Sequence, residues 1–262
     1  MTIEIRILGC GSSGGVPRLG GTDGAGYWGA CDPENPRNRR SRCSILVRQE
    51  DTAILVDTSP DLREQLLAAR VTALDGVLIT HDHADQLHGV DDLRVLYLLN
   101  KRRIGLWSDA RGLKGVRDKF GYVLQTPPGS EYPAICDAHE IGEPFENFEI
   151  GALPVRAFGV GHGRIRALGF RFGPIAYTPD ADALDEAAFA ALEGVEVWIV
   201  DALRHAPHPS HAHVGRTLEW IARVRPKRAI LTNMHVDLDY DALAASLPPG
   251  VEPAYDGMVI RA

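Results

Sequence analysis

The chain has 262 residues, of which 45% are hydrophobic and 24% charged, and its formal net charge at pH 7 is −7. This composition supplies enough apolar side chains for a sizeable core, and because no change in composition marks a linker, we expect one domain over residues 1–262. The acidic balance argues against non-specific binding to nucleic acid, and no segment approaches the roughly 18 consecutive apolar residues of a membrane-spanning helix.

Short apolar runs bounded by Gly, Asp and Asn predict the first strands. They are IEIRIL (3–8), CSILVRQ (43–49), TAILVD (52–57) and GVLIT (76–80). The turn at Asp51 indicates that the second and third strands form a hairpin. Between the third and fourth, leucines at helical spacing predict a helix with Ser59 as its N-cap. Since no basic segment with a long apolar run precedes the first strand, we expect no signal peptide.

The middle of the chain changes from helices to strands. The predicted elements are a helix at GVDDLRVLYLLN (89–100), a strand at IGLWS (104–108), a helix from Ala110 and a loop at 126–134. Residues 135–178 alternate short strands with Gly and Pro turns, which indicates an all-β stretch.

The last third of the chain alternates helices with strands. Helices are predicted at DADALDEAAFAAL (180–192) and HVGRTLEWIARVRP (213–226), and strands at VEVWIV (195–200), RAILTN (228–233) and GMVIRA (257–262). Together with the all-β middle, this order favours an α/β fold with two facing sheets and outer helices, an αββα sandwich. A doubly wound parallel sheet would instead alternate strand and helix throughout.

Several predicted strands end at polar residues. Asp57, His81 and Asp201 stand at strand ends, and another strand ends just past Thr232. Loops at strand ends, supported by a rigid sheet, are common positions for functional groups. We therefore expect the site where these ends meet.

The densest cluster of such residues is LITHDHADQLHGVDD (78–92), directly after a buried strand. His81, His83 and Asp85 follow the spacing HxHxD, and side chains two residues apart on an extended segment project to the same side. Two imidazoles could therefore bind one metal ion while the carboxylate reaches a second. Imidazole with carboxylate suits Zn²⁺, Mn²⁺ or iron. The alternative is a polar, solvated loop.

Further ligands would have to come from distant segments. His162 lies between two glycines that let the backbone approach closely and turn sharply. Asp180 and His235 each follow a predicted strand. The three would add two imidazoles and a carboxylate able to bridge two metals. Taken singly, His162 and His235 could equally be structural.

A basic patch stands out in this acidic chain. The segment NPRNRRSRCS (35–44) contains Arg39, Arg40 and Arg42, and guanidinium groups bind phosphate in a bidentate manner. These arginines could hold a phosphorylated substrate. A solvated basic loop or a dimer contact is an equal alternative.

Four segments together resemble the metallo-β-lactamase superfamily. They are THDHADQLHG (80–89), GHG (161–163), YTPDAD (177–182) and LTNMH (231–235). LGCGSSGGVP (8–17) and YDGM (255–258) are more specifically similar to the cyclic ribose phosphate phosphodiesterases of the carbon–phosphorus lyase pathway. The resemblance implies an αββα sandwich with a dinuclear metal site between the sheets. It assigns His81, His83 and His162 to one metal, Asp180 as a bridge, and Asp85 and His235 to the second.

Two positions depart from the superfamily pattern. Gln86 stands where the motif usually has a histidine, and a carboxamide oxygen is a weaker donor than imidazole. The second metal could be held more loosely, or His88 could substitute. Asn233 stands where relatives often have another histidine, so His235 is assigned because imidazole is the better ligand.

The resemblance and these residues predict a metal-dependent hydrolase, specifically a phosphodiesterase acting on a small cyclic or nucleotide-like phosphodiester, with two divalent ions, zinc or manganese. In similar phosphodiesterases a histidine near RHAPHPSHAHV (204–214) protonates the leaving group, so His211 and His208 are candidates. Asp85 is counted with them as catalytic. The alternatives are a thioesterase or tRNA-processing nuclease of the same fold, or a non-catalytic ligand-binding relative.

The expected partner is a small phosphorylated substrate. We expect no membrane and no stable nucleic acid partner, and the chain could form a homodimer. The four cysteines show no CxxC pairing and are too sparse for a disulfide scaffold, so we expect a reducing, cytoplasmic location. Some similar phosphodiesterases hold a structural zinc on an N-terminal cysteine pair. Cys31 alone cannot reproduce that pair, and we expect no such site.

Overall fold

The computed structural model describes residues 2–143, 145 and 147–262. Within these residues the chain forms fourteen strands and seven α-helices. The strands are β1 (Glu4–Gly9), β2 (Ser44–Gln49), β3 (Thr52–Val56), β4 (Gly76–Leu78), β5 (Ile104–Ser108), β6 (Cys136–Glu140), β7 (Asn147–Ile150), β8 (Leu153–His162), β9 (Ile165–Phe172), β10 (Ile175–Thr178), β11 (Val197–Asp201), β12 (Arg228–Thr232), β13 (Val251–Pro253) and β14 (Val259–Arg261). The helices are α1 (Leu62–Ala68), α2 (Ala84–Leu87), α3 (Leu93–Asn100), α4 (Ala110–Phe120), α5 (Glu186–Leu192), α6 (Val214–Val224) and α7 (Tyr240–Ser246).

The strands make two seven-stranded sheets with matching plans. The first has the order β14-β1-β2-β3-β4-β5-β6, and the second β13-β12-β11-β10-β9-β8-β7. In the first sheet, strands β3 to β6 pair in parallel and the others antiparallel. In the second, β10 to β13 are parallel and the rest antiparallel. Both sheets are therefore mixed.

Alternating side chains on the strands build the layers. On β2, Ile45 and Val47 join the apolar core that also contains residues of the second sheet, such as Phe170. Leu46, between them, packs into a separate cluster with Leu62 of α1. Each fully buried aliphatic side chain of this kind contributes roughly 1.5–3 kcal/mol.

Helices cover the outer faces of both sheets. Residues of α1, α3 and α4 pack in the cluster on the first sheet, and Trp220 of α6 and Leu243 of α7 pack against the core on the side of the second. This arrangement confirms the predicted αββα sandwich. Among the described residues, no helix has the length and apolarity needed to cross a membrane.

Several element boundaries differ from the sequence prediction. Helix α1 begins at Leu62 rather than after Ser59, because the Ser59 hydroxyl accepts a hydrogen bond from the Asp61 N–H at 3.1 Å and forms a turn before the helix. Helix α2 was not predicted, since four residues are too short for a helical period. Helix α7 was also missed, although Asp239 caps it by accepting from the Ala242 N–H at 3.0 Å.

The parallel strands bring their carboxyl ends to one edge of the sandwich. Strand β4 leads to His81, β10 leads to Asp180, β11 ends at Asp201, and β12 leads to Asn233. The antiparallel strand β8 ends at His162 and brings it to the same place. The strand ends therefore lie together at this edge, as expected from the sequence.

Candidate metal centre

Three imidazoles converge in the cleft. His81, His83 and His162 each offer a ligand nitrogen, and these nitrogens lie within 4.8 Å of one another. The Nε2 atom of His162 is 3.2 Å from the Nδ1 atom of His83. Two imidazoles that direct ring nitrogens at each other over such a distance are suited to share a cation.

The orientation of His81 is fixed by a relay of hydrogen bonds. The Thr80 hydroxyl donates to the carboxylate of Asp57, at 3.0 Å from each oxygen. The hydroxyl oxygen can therefore accept from the Nδ1–H of His81, 3.0 Å away. The Nε2 atom of His81 is then left as an acceptor, and it is buried without a hydrogen-bond partner among the described residues. A metal-binding histidine is normally held in this way by a bond to its other nitrogen.

His162 is held in the same manner from the other sheet. Its Nδ1–H donates to the Ser210 carbonyl at 2.7 Å, which leaves Nε2 as the lone-pair nitrogen. Burial, reinforced by the charge of His211, lowers the pKa of His162 to about 4. Burial also lowers the pKa of His81 well below its usual value. Both rings are consequently neutral near pH 7, as ligands must be.

A carboxylate completes this donor set. Asp180 is buried, and it forms a second group with His162 and His211 whose ligand atoms also lie within 4.8 Å of one another. Burial raises the pKa of Asp180 well above its usual value, although the nearby charge of His211 opposes this. Three imidazole nitrogens and one carboxylate oxygen match the usual ligands of Zn²⁺ or Mn²⁺. His162 belongs to both groups, so His81, His83 and His162 supply a three-nitrogen site with Asp180 as the adjacent carboxylate.

The other side of Asp180 is occupied by amides. The Gln86 side-chain N–H₂ donates to Asp180 Oδ2 at 3.0 Å, and the Asn233 N–H₂ donates to Oδ1 at 3.3 Å. Asn233 also donates to Asp201 Oδ1 at 3.3 Å. Its backbone φ of 62° lies in the left-handed region, which asparagine tolerates better than most residues and which carries it past the end of β12.

His211 forms a histidine–carboxylate pair with Asp201. Its Nδ1–H donates to Asp201 Oδ2 at 2.9 Å. Burial disfavours the charged imidazole, but the hydrogen bond and charge of Asp201 outweigh it and raise the pKa of His211 to about 9. Burial raises the pKa of Asp201 to about 6, against the hydrogen bond from His211. The pair is therefore able to hold a proton on the imidazole at neutral pH.

Two arginines and two further histidines lie near this pair. We define the cationic rim as Arg18, Arg204, His208 and His235. The His208 ring centroid is 5.1 Å from that of His211. Burial and then the charge of Arg18, with a contribution from Arg204, lower the pKa of His235. Within the part of the chain that the structure describes, neither arginine of the rim forms an ion pair.

The sequence profile of the beta-lactamase superfamily domain matches residues 52–234, a span that contains all the metal-capable residues described above. This chain belongs to the beta-lactamase superfamily. The match confirms the resemblance that the motifs indicated, and the superfamily is one of hydrolases.

Relatives within the superfamily differ in their reactions. Over its whole length the chain is similar to the crystal structure of a diphosphatase from the PhnP family, with a TM-score of 0.89 and 28% identity, covering 98% of that chain. It is 30% identical over 258 residues to an octanoyltransferase of Porphyromonas gingivalis, covering 96% of this chain and 50% of that protein. It is 29% identical over 139 residues to ribonuclease Z of a Bradyrhizobium species, covering 52% of this chain and 46% of that protein. The chain thus spans about half the length of these curated relatives.

Asp85 and His235, which the sequence assigned to a second metal, lie outside both metal-capable groups. His235 is 2.9 Å from Asp237 Oδ2 and belongs to the rim. Asp85 belongs to neither group, although its charge helps to raise the pKa of Asp180 after the larger effects of burial and His211. The ring of His88, the suggested substitute ligand, packs edge-on against Phe120, 5.3 Å between centroids.

The three arginines expected to bind substrate lie elsewhere. Arg40 is buried, and its guanidinium donates to the Leu238 carbonyl at 2.7 Å, so it braces the chain. Arg39 stacks over Trp28, and Arg42 pairs with Asp61 at 2.9 Å. All three line a cavity of about 500 Å³ whose lining contains no residue of the two metal-capable groups.

Sequence reasoning missed the groups that orient the site. Ser210 acts through its backbone carbonyl, and a pattern of side chains cannot predict such a contact. Asp57 and Asp201 were noted only as strand-end residues, and that position at a strand end was the available signal. Arg18 is isolated in the sequence and gave no signal, and Arg204 begins the segment RHAPHPSHAHV, of which only the histidines were considered.

Proposed function

We propose that this protein is a metal-dependent phosphodiesterase that cleaves a small, anionic phosphodiester of a cyclic or nucleotide-like type. The observation that carries the proposal is the convergence of His81, His83 and His162 on one side of Asp180, beside the His211–Asp201 pair. A metal-binding group and a proton-holding group in one cleft are what ester hydrolysis requires. Membership of a hydrolase superfamily and the likeness to a PhnP-family diphosphatase support it.

The donor set supports a divalent ion, zinc or manganese, on His81, His83, His162 and Asp180. Such an ion supplies Lewis-acid polarisation of a phosphoryl oxygen and a water nucleophile at neutral pH. The second ion expected from the sequence, on Asp85 and His235, stays a prediction.

In this proposal His211 is the general acid. A water molecule that has lost one proton to solvent bonds through its oxygen to phosphorus, the bond to the leaving oxygen breaks, and the proton on His211 passes to that oxygen. His211 then regains a proton from solvent. Asp201 holds Nδ1–H and so leaves Nε2 as the nitrogen that faces a substrate. His208, the other predicted acid, accepts from the Ser210 N–H at 3.3 Å and belongs to the rim. Asp85 is kept as a catalytic carboxylate beside Asp180.

The cationic rim supports an anionic substrate. Arg204 donates to the carbonyls of Ala206 and Pro207 at 3.2 and 2.9 Å, so its charge is held in place by neutral groups. A fixed positive charge without an acidic partner attracts anions to a cleft. We propose that the rim, rather than Arg39, Arg40 and Arg42, binds the phosphate or its anionic neighbour.

Other expectations from the sequence are retained as proposals. We propose a small phosphorylated partner rather than a membrane or a stable nucleic acid, and one domain over the chain, while a homodimer stays a prediction. All four cysteines are free and buried, which supports a reducing cytoplasmic location.

Metal-dependent hydrolysis tests the proposal. The purified protein is stripped with a chelator, reloaded with Zn²⁺ or Mn²⁺, and assayed on bis(p-nitrophenyl) phosphate, a cyclic nucleotide and an acyl thioester. We expect phosphodiester cleavage that appears only after metal is added. Asp180→Ala should abolish it, whereas His205→Ala, an exposed histidine of the same loop as His211, should not.

The rival reactions give distinct outcomes. Thioester cleavage without phosphodiester cleavage would contradict the proposal and favour a thioesterase, a reaction closer to the acyl chemistry that the name of the Porphyromonas gingivalis relative suggests. Metal binding without turnover of any substrate would favour a ligand-binding relative.

A further inference from the structure

The two sides of Asp180 differ in what they can offer a cation. On one side stand His81, His83 and His162, whose ligand nitrogens face a common point. On the other side, both carboxylate oxygens of Asp180 already accept hydrogen bonds, from Gln86 and Asn233 at 3.0 and 3.3 Å. An amide N–H₂ donates and cannot ligate a cation.

The orientation of the Asn233 amide is fixed at both ends. Its nitrogen lies 3.3 Å from an oxygen of Asp180 and 3.3 Å from an oxygen of Asp201. Its oxygen faces the thiol of Cys43, 3.9 Å away and buried. Turning the amide would point its oxygen at two carboxylates and its nitrogen at a thiol. Only the His211 Nδ1–H, 3.1 Å from the amide nitrogen, would gain an acceptor, so the observed orientation keeps more of the hydrogen bonds.

The Gln86 amide donates to the same carboxylate, while its own oxygen is buried without a hydrogen-bond partner among the described residues. Gln86 is buried, and its backbone carbonyl accepts from the Thr58 N–H at 2.8 Å, which anchors the first turn of α2. Its side-chain nitrogen faces Asp180 Oδ2. Both amides therefore donate hydrogen bonds where a second, Asp180-bridged cation would require electron pairs.

The remaining imidazoles do not replace the ligands that Gln86 and Asn233 fail to supply. One nitrogen of His162 cannot serve two cations, so the second metal-capable group leaves Asp180 and His211 for another ion, with Asp85 as a further carboxylate nearby. His211 donates Nδ1–H to Asp201 and keeps one lone-pair nitrogen, Nε2, so this side offers a single imidazole against three on the other. His235 and His88 face Asp237 and Phe120.

We infer that Gln86 and Asn233 take the place of a second cation, and that each chain binds one divalent ion, on His81, His83, His162 and Asp180. The two amides instead orient Asp180, since each holds one of its oxygens. The inference rests on the metal-binding part of the proposed function and is independent of which substrate is cleaved.

Metal stoichiometry tests the inference directly. The stripped protein is titrated with Co²⁺ and followed by its visible d–d absorption, and bound Zn²⁺ is counted by mass spectrometry after desalting. We expect one equivalent for the wild type. Gln86→His/Asn233→His places imidazoles at both amide positions and should bind two.

A matched variant separates this effect from added histidine alone. Gln125→His/Asn100→His changes the same residue types at exposed positions outside the site and should still bind one equivalent. Circular dichroism checks that each variant is folded, and the single variants Gln86→His and Asn233→His replace the double variant if it is not.

Two equivalents in the wild type would overturn the inference. One equivalent in both the wild type and the folded Gln86→His/Asn233→His variant would overturn the role given to the amides. One equivalent together with no phosphodiester hydrolysis would contradict the proposed function and leave this inference standing.

Discussion

The two sides of Asp180 contrast in how their hydrogen bonds are used. On the imidazole side, one nitrogen of His81 bonds to Thr80 and one nitrogen of His162 bonds to Ser210. The other nitrogen of each ring is left free. On the amide side, Gln86 and Asn233 direct their N–H groups at carboxylate oxygens. The contrast teaches that the two sides of one carboxylate can differ in the number of lone-pair nitrogens that they offer a cation.

The largest expected effect comes from breaking the imidazole side. His162→Ala removes one of three nitrogen donors, and we expect loss of bound metal and a fall in kcat/KM of roughly a thousandfold, because a catalytic metal contributes several kcal/mol. Metal analysis and steady-state kinetics measure it. His205→Ala serves as the control, and a His162→Ala protein that keeps both metal and activity would remove His162 from the centre.

Asp256 is a carboxylate away from the site whose oxygens accept several hydrogen bonds. Its replacement should change the stability of the fold and leave metal binding unchanged. Asp256 accepts bonds from the backbone N–H and side chain of both Cys10 and Ser41. Burial nevertheless raises its pKa to about 6. The folded protein therefore holds a proton near pH 5 that the unfolded chain has released, and this contribution to stability is lost as the pH rises to 6 and above.

The comparison of wild type with Asp256→Asn isolates that contribution. The free energy of unfolding of the wild type, relative to the variant, should be greatest near pH 4 and decline by up to about 3 kcal/mol by pH 7. Urea unfolding at several pH values measures this. A difference that instead grows with pH would show that the hydrogen bonds to the charged form outweigh burial. Loss of bound metal in Asp256→Asn would break the distinction between the two kinds of site.

His211 sharpens the contrast because it stands on the amide side but keeps Nε2 free. If it is the general acid, His211→Ala should lower turnover by roughly a hundredfold for a poor alkoxide leaving group. It should lower turnover far less for p-nitrophenolate, which needs no proton. Metal content should stay unchanged. An equal loss with both leaving groups, or loss of metal, would assign His211 a different role.

The smallest expected effect comes from the relay behind His81. Thr80→Val removes the hydroxyl that accepts from Nδ1–H but keeps the shape of the side chain. We expect metal affinity to fall by roughly tenfold, as measured by competition with a chelator. Thr80→Ser keeps the hydroxyl and should restore most of it. Equal affinity in both variants would show that the relay does not position His81.

Much of the fold could be predicted from the sequence because its patterns are local. The run CSILVRQ and the turn at Asp51 are sufficient to place a hairpin, which the structure contains as β2 and β3. Helix α2 could not be found this way, because its four residues are held by hydrogen bonds of the loop after β4 rather than by apolar spacing.

The site residues that belong to a sequence motif could be predicted. Those that depend on how distant segments pack together could not. His81, His83, His162 and Asp180 were named from spacing and resemblance, and they lie together in the structure. His235 was chosen because imidazole is the better ligand, but the backbone after β12 turns Asn233 toward Asp180 and His235 toward Asp237. Likewise, no pattern distinguishes the buried Arg40 from its exposed neighbour Arg39.

The most direct test of the asymmetry around Asp180 is a crystal structure of the zinc-loaded protein with diffraction data recorded on both sides of the zinc absorption edge. The account predicts one anomalous peak, about 2.0–2.1 Å from a nitrogen of each of His81, His83 and His162, with Asp180 as the fourth ligand and the Gln86 and Asn233 amides still bonded to it. Two peaks of similar height on either side of Asp180, or none among the three imidazoles, would contradict it.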